Sequence, residues 1–296
     1  MKRQRMLCGM LGMLFTGAVP GDVAAEAPAV AAEARAAAPA HAADAVVLVH
    51  GLQWIRDTLK PAEEALTAAG YRVLRFRYDS RKPLHPDALA KALGDFIRSE
   101  RPANGRPLHF VCHSMGCIVV RCFLSRERPE RLGRVVMLAP PNKGSELADL
   151  VAHSRLLQSI FGKGAVALQC GEGLPAKLPA PDYDPGVIMG TRSDVPLLSA
   201  FLEGADDGLL TVECGRLPGM GDFVTVAASH TGMTADARTL RQVEVFLRTG
   251  KFDHPAAASR SVLETAPAAS PTASSGREKR SAARWFNAML SRLQRR

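Results

Sequence analysis

The sequence predicts an α/β fold with a mostly parallel central sheet and helices on both faces. Three observations carry that expectation. Short apolar runs of strand length alternate with stretches whose apolar residues recur at helical spacing, the pattern of successive βαβ units. The run Ala45-Val46-Val47-Leu48-Val49 is apolar throughout, as suits a strand covered on both sides of a parallel sheet. Finally, the apolar or half-buried residue types at 108–112 pass through Ser114 directly into a helix opening at Met115, whose Ile118, Val119 and Phe123 share one face.

Taken in order, the chain begins with Lys2, Arg3 and Arg5, an apolar stretch over residues 6–19, and small residues ending in Val23-Ala24-Ala25. That three-part layout reads as a secretory signal cut after Ala25, because the apolar stretch is short for a bilayer span. Export to the periplasm or beyond is therefore expected. Residues 26–44, mostly Ala, Pro and Glu, read as a tether. The folded body is expected over 45–252. After the first strand come a helix at 61–69, an alternating strand at 71–78 and an amphipathic helix at 87–99 carrying Leu89, Leu93 and Phe96 on one face. The strand and helix around Ser114 follow, then an apolar strand at 134–138. Strands at 187–189 and 223–226 and a helix at 239–248 complete the body. Between 150 and 184 the apolar residues lose a clean period, and two readings stand for this insertion: a small cap over the mouth of a site, or an ordinary connection. Residues 253–276 read as a second linker.

The formal charge of +9 resembles that of a nucleic-acid binder, but the excess is terminal. Lys2, Arg3 and Arg5 contribute +3 and residues 277–296 contribute +6, so the body between them is neutral. A phosphate-tracking groove needs its Lys and Arg on the folded body, which argues against nucleic acid as a partner. The tail itself combines Trp285, Phe286, Met289, Leu290 and Leu293 with seven basic residues, and two readings stand for it: a helix lying in an anionic membrane interface, or a solvated, frayed end, since a short isolated helix is marginal in water. Of the six cysteines, Cys112, Cys117 and Cys122 surround the Ser114 turn and suit apolar packing. Cys170 with Cys214 is the one pair considered for a disulfide. Clusters with metal-ligand spacing are missing from the sequence, and neither metal nor organic cofactor is expected.

The chemistry is expected at Ser114. A strand turning sharply into a helix lifts a serine Oγ onto an exposed corner, where the next residue's N–H, here Met115, faces the same space. The usual pattern around such a serine is G-x-S-x-G; here it is Cys112-His113-Ser114-Met115-Gly116, with the second glycine intact and the first replaced. A serine hydroxyl needs a base and a group orienting that base, and in this arrangement acid and histidine follow the serine in chain order, each after a strand. His230 follows the last strand and is the expected base; His153 comes too early and His254 sits at the linker edge. Asp206-Asp207-Gly208 supplies the acid. Asp207, held against the Gly208 turn and the apolar pair Leu209-Leu210, is preferred, Asp206 serves as a loop cap or neighbour, and Asp194 and Glu203 are outside alternatives. The oxyanion hole is assigned to the N–H of Met115 and, from the His50-Gly51 turn after the first strand, the N–H of Leu52. His113, Leu156, Leu157 and Phe161 are candidates for touching substrate.

These stretches together, namely Val47-Leu48-Val49-His50-Gly51-Leu52, His113-Ser114-Met115-Gly116, Leu138-Ala139-Pro140-Pro141-Asn142-Lys143-Gly144-Ser145-Glu146, Asp206-Asp207-Gly208 and Ser229-His230-Thr231, resemble the bacterial lipase and esterase branch of the α/β-hydrolase superfamily. The resemblance covers roughly residues 45–252. It implies the α/β-hydrolase fold, Ser114 as nucleophile, Asp207 as acid, His230 as base and cleavage of carboxylic esters, the irregular apolar insertion favouring acyl or lipid esters. A thioesterase, amidase or acyltransferase would use the same residues, and an inactive binding relative would keep the fold.

Overall fold

The computed structural model describes residues 44–52, 58–80, 82–83, 85–102 and 105–254. The expected signal, most of the first linker and the basic tail lie outside the described residues, as does the second linker from 255 onward.

Six strands form one parallel sheet: β1 (Ala45–Val49), β2 (Arg72–Phe76), β3 (Leu108–His113), β4 (Leu132–Leu138), β5 (Gly186–Gly190) and β6 (Asp222–Val226), in the order β2-β1-β3-β4-β5-β6. β1, β3 and β5 are buried along their whole length, which is why they read as unbroken apolar runs. The intervening helices are α1 (Lys60–Ala68), α2 (Pro86–Glu100) and α3 (Met115–Leu124), with α8 (Ala237–Thr249) closing the body. Because crossovers between parallel strands are right-handed, the reversal of direction after β2 puts α1 on one face and α2 and α3 on the other. α8 packs against β4 and α1, and so joins α1's face. All ten residues of α3 are buried, and its helix is therefore apolar nearly all round rather than striped.

The strand order reverses between β1 and β3, and ligands in open α/β sheets bind outside the carboxyl ends of the strands at such a reversal. Val49 pairs with Cys112 at that edge, so His50 and Gly51 leave β1 beside the end of β3. Residues 146–177 form four short turns of helix: α4 (Glu146–Ala152), α5 (Arg155–Phe161), a 3₁₀ segment (Lys163–Leu168) and α6 (Leu174–Lys177). None spans more than two turns, which accounts for the missing period in the sequence. Ser145 and Ser154 cap α4 and α5 by accepting from the backbone N–H groups of Ala148 and Leu157. This segment is held by two small apolar clusters, one around Val151, Leu157, Phe161 and Ala165, the other joining Ala148, Leu168 and Leu174 to Met115 and Ile118 of α3. A last short helix, α7 (Pro196–Ser199), follows β5.

Two boundary expectations shift. Asp44, assigned to the tether, is 5% exposed and ion-paired with Arg106. Asp253 and His254, assigned to the second linker, are held to the body: Gln242 bonds both backbone groups of Asp253, and His254 reaches Asp222. The disulfide considered for Cys170 and Cys214 is not formed. The Cys214 thiol instead donates to the Glu146 carboxylate and accepts from Thr211 Oγ1, and burial pushes its pKa up to about 11.

Candidate active site

Ser114 has φ 53° and ψ −128°, a conformation L-residues rarely adopt. The neighbouring chains impose it. Its N–H donates to the Leu138 carbonyl at the end of β4, while its own carbonyl accepts from Cys117 N in the first turn of α3. Gly116 is required by the same crowding, since a Cβ there would lie 2.5 Å from the His50 carbonyl oxygen. The first elbow position tolerates a cysteine because Cys112 turns inward, its thiol donating to the Val136 carbonyl at 3.4 Å. The departure from the usual motif therefore falls on the core side of the turn.

Three loops at the carboxyl ends of β3, β5 and β6 bring the candidate triad together. His230 Nε2 lies 3.0 Å from Ser114 Oγ and His230 Nδ1 lies 2.8 Å from Asp207 Oδ2. A carboxylate only accepts, so Nδ1 carries the proton and Nε2 is left to accept from the serine hydroxyl. Asp207 is 1% exposed, and its other oxygen accepts from the N–H groups of Leu209 and Leu210 at 3.0 and 2.8 Å. Its backbone is tied too, with the His230 N–H donating to the Asp207 carbonyl at 2.9 Å. Asp206 faces away from the histidine and accepts from Ser199 Oγ and the Gly208 N–H. Gly208 turns the chain here with φ 96°. Of the outside alternatives, Asp194 accepts from Ser229 Oγ and braces the loop before His230.

Leu52 and Met115 flank the serine. Gly51 passes so close that a Cβ on it would sit 3.3 Å from Ser114 Oγ. Leu52 packs against both apolar clusters of the 146–177 segment, and Met115 lies within the second.

The expected substrate-contact residues are placed differently. His113 is 4% exposed, and its Nε2 donates to the backbone carbonyl of His230 at 2.8 Å. It braces the candidate base instead of presenting its ring to a ligand. Burial, helped by the neighbouring His230, lowers its pKa to about 3, so the ring is neutral and able to hold that bond. Leu157 and Phe161 are 5% and 4% exposed within the segment's own apolar cluster, a consequence of their inward face on a short helix. Leu156 stands on the same helix, with its side chain outside what the structure describes.

An apolar cleft beside the acid loop is lined by residues the sequence did not single out. Leu147 and Leu150 of α4 gather with Leu198, Phe201 and Leu202 around a shallow apolar cleft with a cavity volume of about 10 Å³, room for about one water, that ends at Gly208 and Leu209, directly after Asp207. The aperiodic apolar stretch over 150–184 hinted at Leu150 alone, and α7 is a single turn without a readable period.

A family model described as the alpha/beta hydrolase family matches residues 46–272. The chain belongs to the alpha/beta hydrolase family. The search of curated proteins finds no match. Among solved structures, the mature form of the Bacillus licheniformis lipase BlEst2 is similar at 20% identity and TM-score 0.56, covering 77% of this chain and 96% of that one. The propeptide form of the same lipase matches at 20% identity and TM-score 0.57, with 73% of this chain aligned to 53% of that longer one. Phospholipase PlaB from Legionella pneumophila aligns at 24% identity and TM-score 0.49, over 58% of this chain and 45% of its own.

Proposed function

We propose that this α/β hydrolase cleaves carboxylic esters with an apolar acyl group, through attack by Ser114. The observation that carries the reading is the Ser114 Oγ to His230 Nε2 approach of 3.0 Å, with the other ring nitrogen on the buried Asp207. In this scheme Nε2 takes the hydroxyl proton as Oγ adds to the ester carbonyl, and Asp207 stabilises the imidazolium that results. The tetrahedral oxyanion is received by the Met115 N–H at the start of α3 and the Leu52 N–H, each such donor being worth ~2.7–4 kcal/mol. His230 then returns its proton to the leaving alkoxide, giving an acyl-Ser114 that water, activated by the same histidine, hydrolyses.

The leucines and Phe201 gathered between α4 and α7 beside the acid loop favour an apolar acyl group as a lipophilic contact surface, with no formed pocket there among the described residues. The basic tail over 277–296 is proposed, from its sequence, to hold the exported enzyme near anionic lipid. A panel of p-nitrophenyl esters from acetate to palmitate, with matched thioesters and anilides, tests the reaction class. Ester turnover abolished by Ser114→Ala is expected. Phe201→Ala should change kcat/KM for medium acyl chains by roughly 10-fold while leaving acetate nearly unchanged, the scale of a few methylene contacts. Turnover confined to the thioesters or anilides would overturn the ester assignment.

A further inference from the structure

The loop that would supply the Leu52 donor is held by contacts that the reaction scheme above does not use. His50 is 3% exposed, and both of its ring nitrogens are engaged. Its Nε2 faces the backbone N–H of Tyr78 at 3.3 Å, and its Nδ1 faces the carbonyl oxygen of Gly51 at 2.7 Å. A backbone N–H can only donate, so Nε2 is the acceptor, the proton resides on Nδ1, and the ring donates to Gly51. That single bond has a geometric consequence. The Gly51 carbonyl and the Leu52 N–H belong to one planar trans peptide and point in opposite directions, so fixing the oxygen fixes the aim of the donor.

Tyr78 secures the same loop twice more. Its phenol donates to the His50 carbonyl at 2.9 Å, and its ring stacks on the imidazole with centroids 4.5 Å apart and planes 12° from parallel. The His50 carbonyl is the oxygen pressed over Gly116 in the first turn of α3, so the phenol locks the loop against the helix that carries the second donor. Tyr78 also shares an apolar cluster with Met115 and Leu52. Burial raises its pKa well above the ordinary phenol value, which keeps the O–H protonated and donating.

We propose that Tyr78 is a positioning residue for the oxyanion hole, acting through His50 to orient the peptide between Gly51 and Leu52. Tyr78 does not touch the reacting atoms. The inference rests on the ester-hydrolase reading of Ser114. Its consequence is specific: loosening Tyr78 weakens stabilisation of the carbonyl oxygen as it becomes negative, and leaves both ground-state binding and the Ser114–His230–Asp207 chain in place.

The test compares p-nitrophenyl butyrate with its thionoester, in which sulfur replaces the carbonyl oxygen and is a poor acceptor for hydrogen bonds built for oxygen. Tyr78→Phe keeps the stacked ring and removes one hydroxyl. It should lower kcat for the oxoester about 10-fold, a fraction of what deleting a donor outright costs, with KM within about 2-fold. The oxo-to-thiono rate ratio should fall with it, and the melting temperature should stay close to that of the full wild-type chain. His50→Gln, which removes the stacked ring and the fixed tautomer, should lower the same ratio and provides the measurement if the tyrosine variant does not fold. Equal loss on both substrates, or an effect on KM alone, would overturn the positioning role. Unchanged hydrolysis in Ser114→Ala would instead overturn the function on which it rests.

Discussion

His113 and His230 lie with ring centroids 4.9 Å apart, yet their surroundings give them opposite roles. His113 ends β3 in full burial, with one nitrogen committed to a backbone carbonyl and its pKa lowered to about 3. His230 stands between a carboxylate and a hydroxyl, partners with which it can exchange or stabilise a proton. Proximity to the serine therefore does not make a histidine a base. The chemistry of its two partners does, and here the neutral ring holds the backbone of the candidate base in place.

Breaking the carboxylate side of His230 should produce the larger effect. Asp207→Asn is expected to lower kcat by about 10⁴-fold, because an amide at that position favours the wrong tautomer of the base. Asp206→Asn, one residue away, should change kcat less than about 10-fold and act on stability by roughly 1–2 kcal/mol through its bonds to Ser199 and Gly208. Steady-state kinetics beside thermal unfolding separates the two, and a reversal of their order would contradict the assignment of the acid.

The His113 side yields a smaller effect, visible as pH dependence. Its folded pKa of about 3 lies below the unfolded value near 6.5, so between those limits the unfolded chain binds a proton that the folded chain does not. Stability from this group is present in full above about pH 6.5 and declines as pH falls toward 3, by up to about 1.4 kcal/mol per unit. His113→Gln keeps a donor for the His230 carbonyl and removes the titration. Urea unfolding at pH 7, 6, 5 and 4 should give a shallower decline for the variant, with ester turnover at pH 8 within about 3-fold of wild type, as expected for a residue outside the proton-transfer path. Parallel declines would remove His113 from the account.

The same contrast explains what the sequence made legible. That Ser114, Asp207 and His230 come together was readable because each follows a parallel strand: the buried β3 and β5 show as largely apolar runs, Leu108 to Cys112 and Val187 to Met189, and the half-buried edge strand β6 as the short stretch Phe223 to Val226. The preference for Asp207 over Asp206 came from the Gly208 turn and the apolar pair beyond it, and it is the Leu209 and Leu210 N–H groups that grip the Asp207 carboxylate. The bracing roles of His113, His50 and Tyr78 were not readable. They depend on hydrogen bonds between residues 28 and 117 positions apart, for which a linear pattern has no signal. The cleft walls were hidden for a related reason, since α4 and α7 are too short to establish a period and only their packing decides which faces turn outward.

The central claim, a serine activated by its histidine, is tested most directly by reacting the protein with a fluorophosphonate and locating the adduct by peptide mass spectrometry. The account predicts a single phosphonylated site at Ser114, with labelling slowed at least about 10³-fold in His230→Ala, the scale of losing the general base. An adduct elsewhere, or labelling of His230→Ala at the wild-type rate, would contradict it.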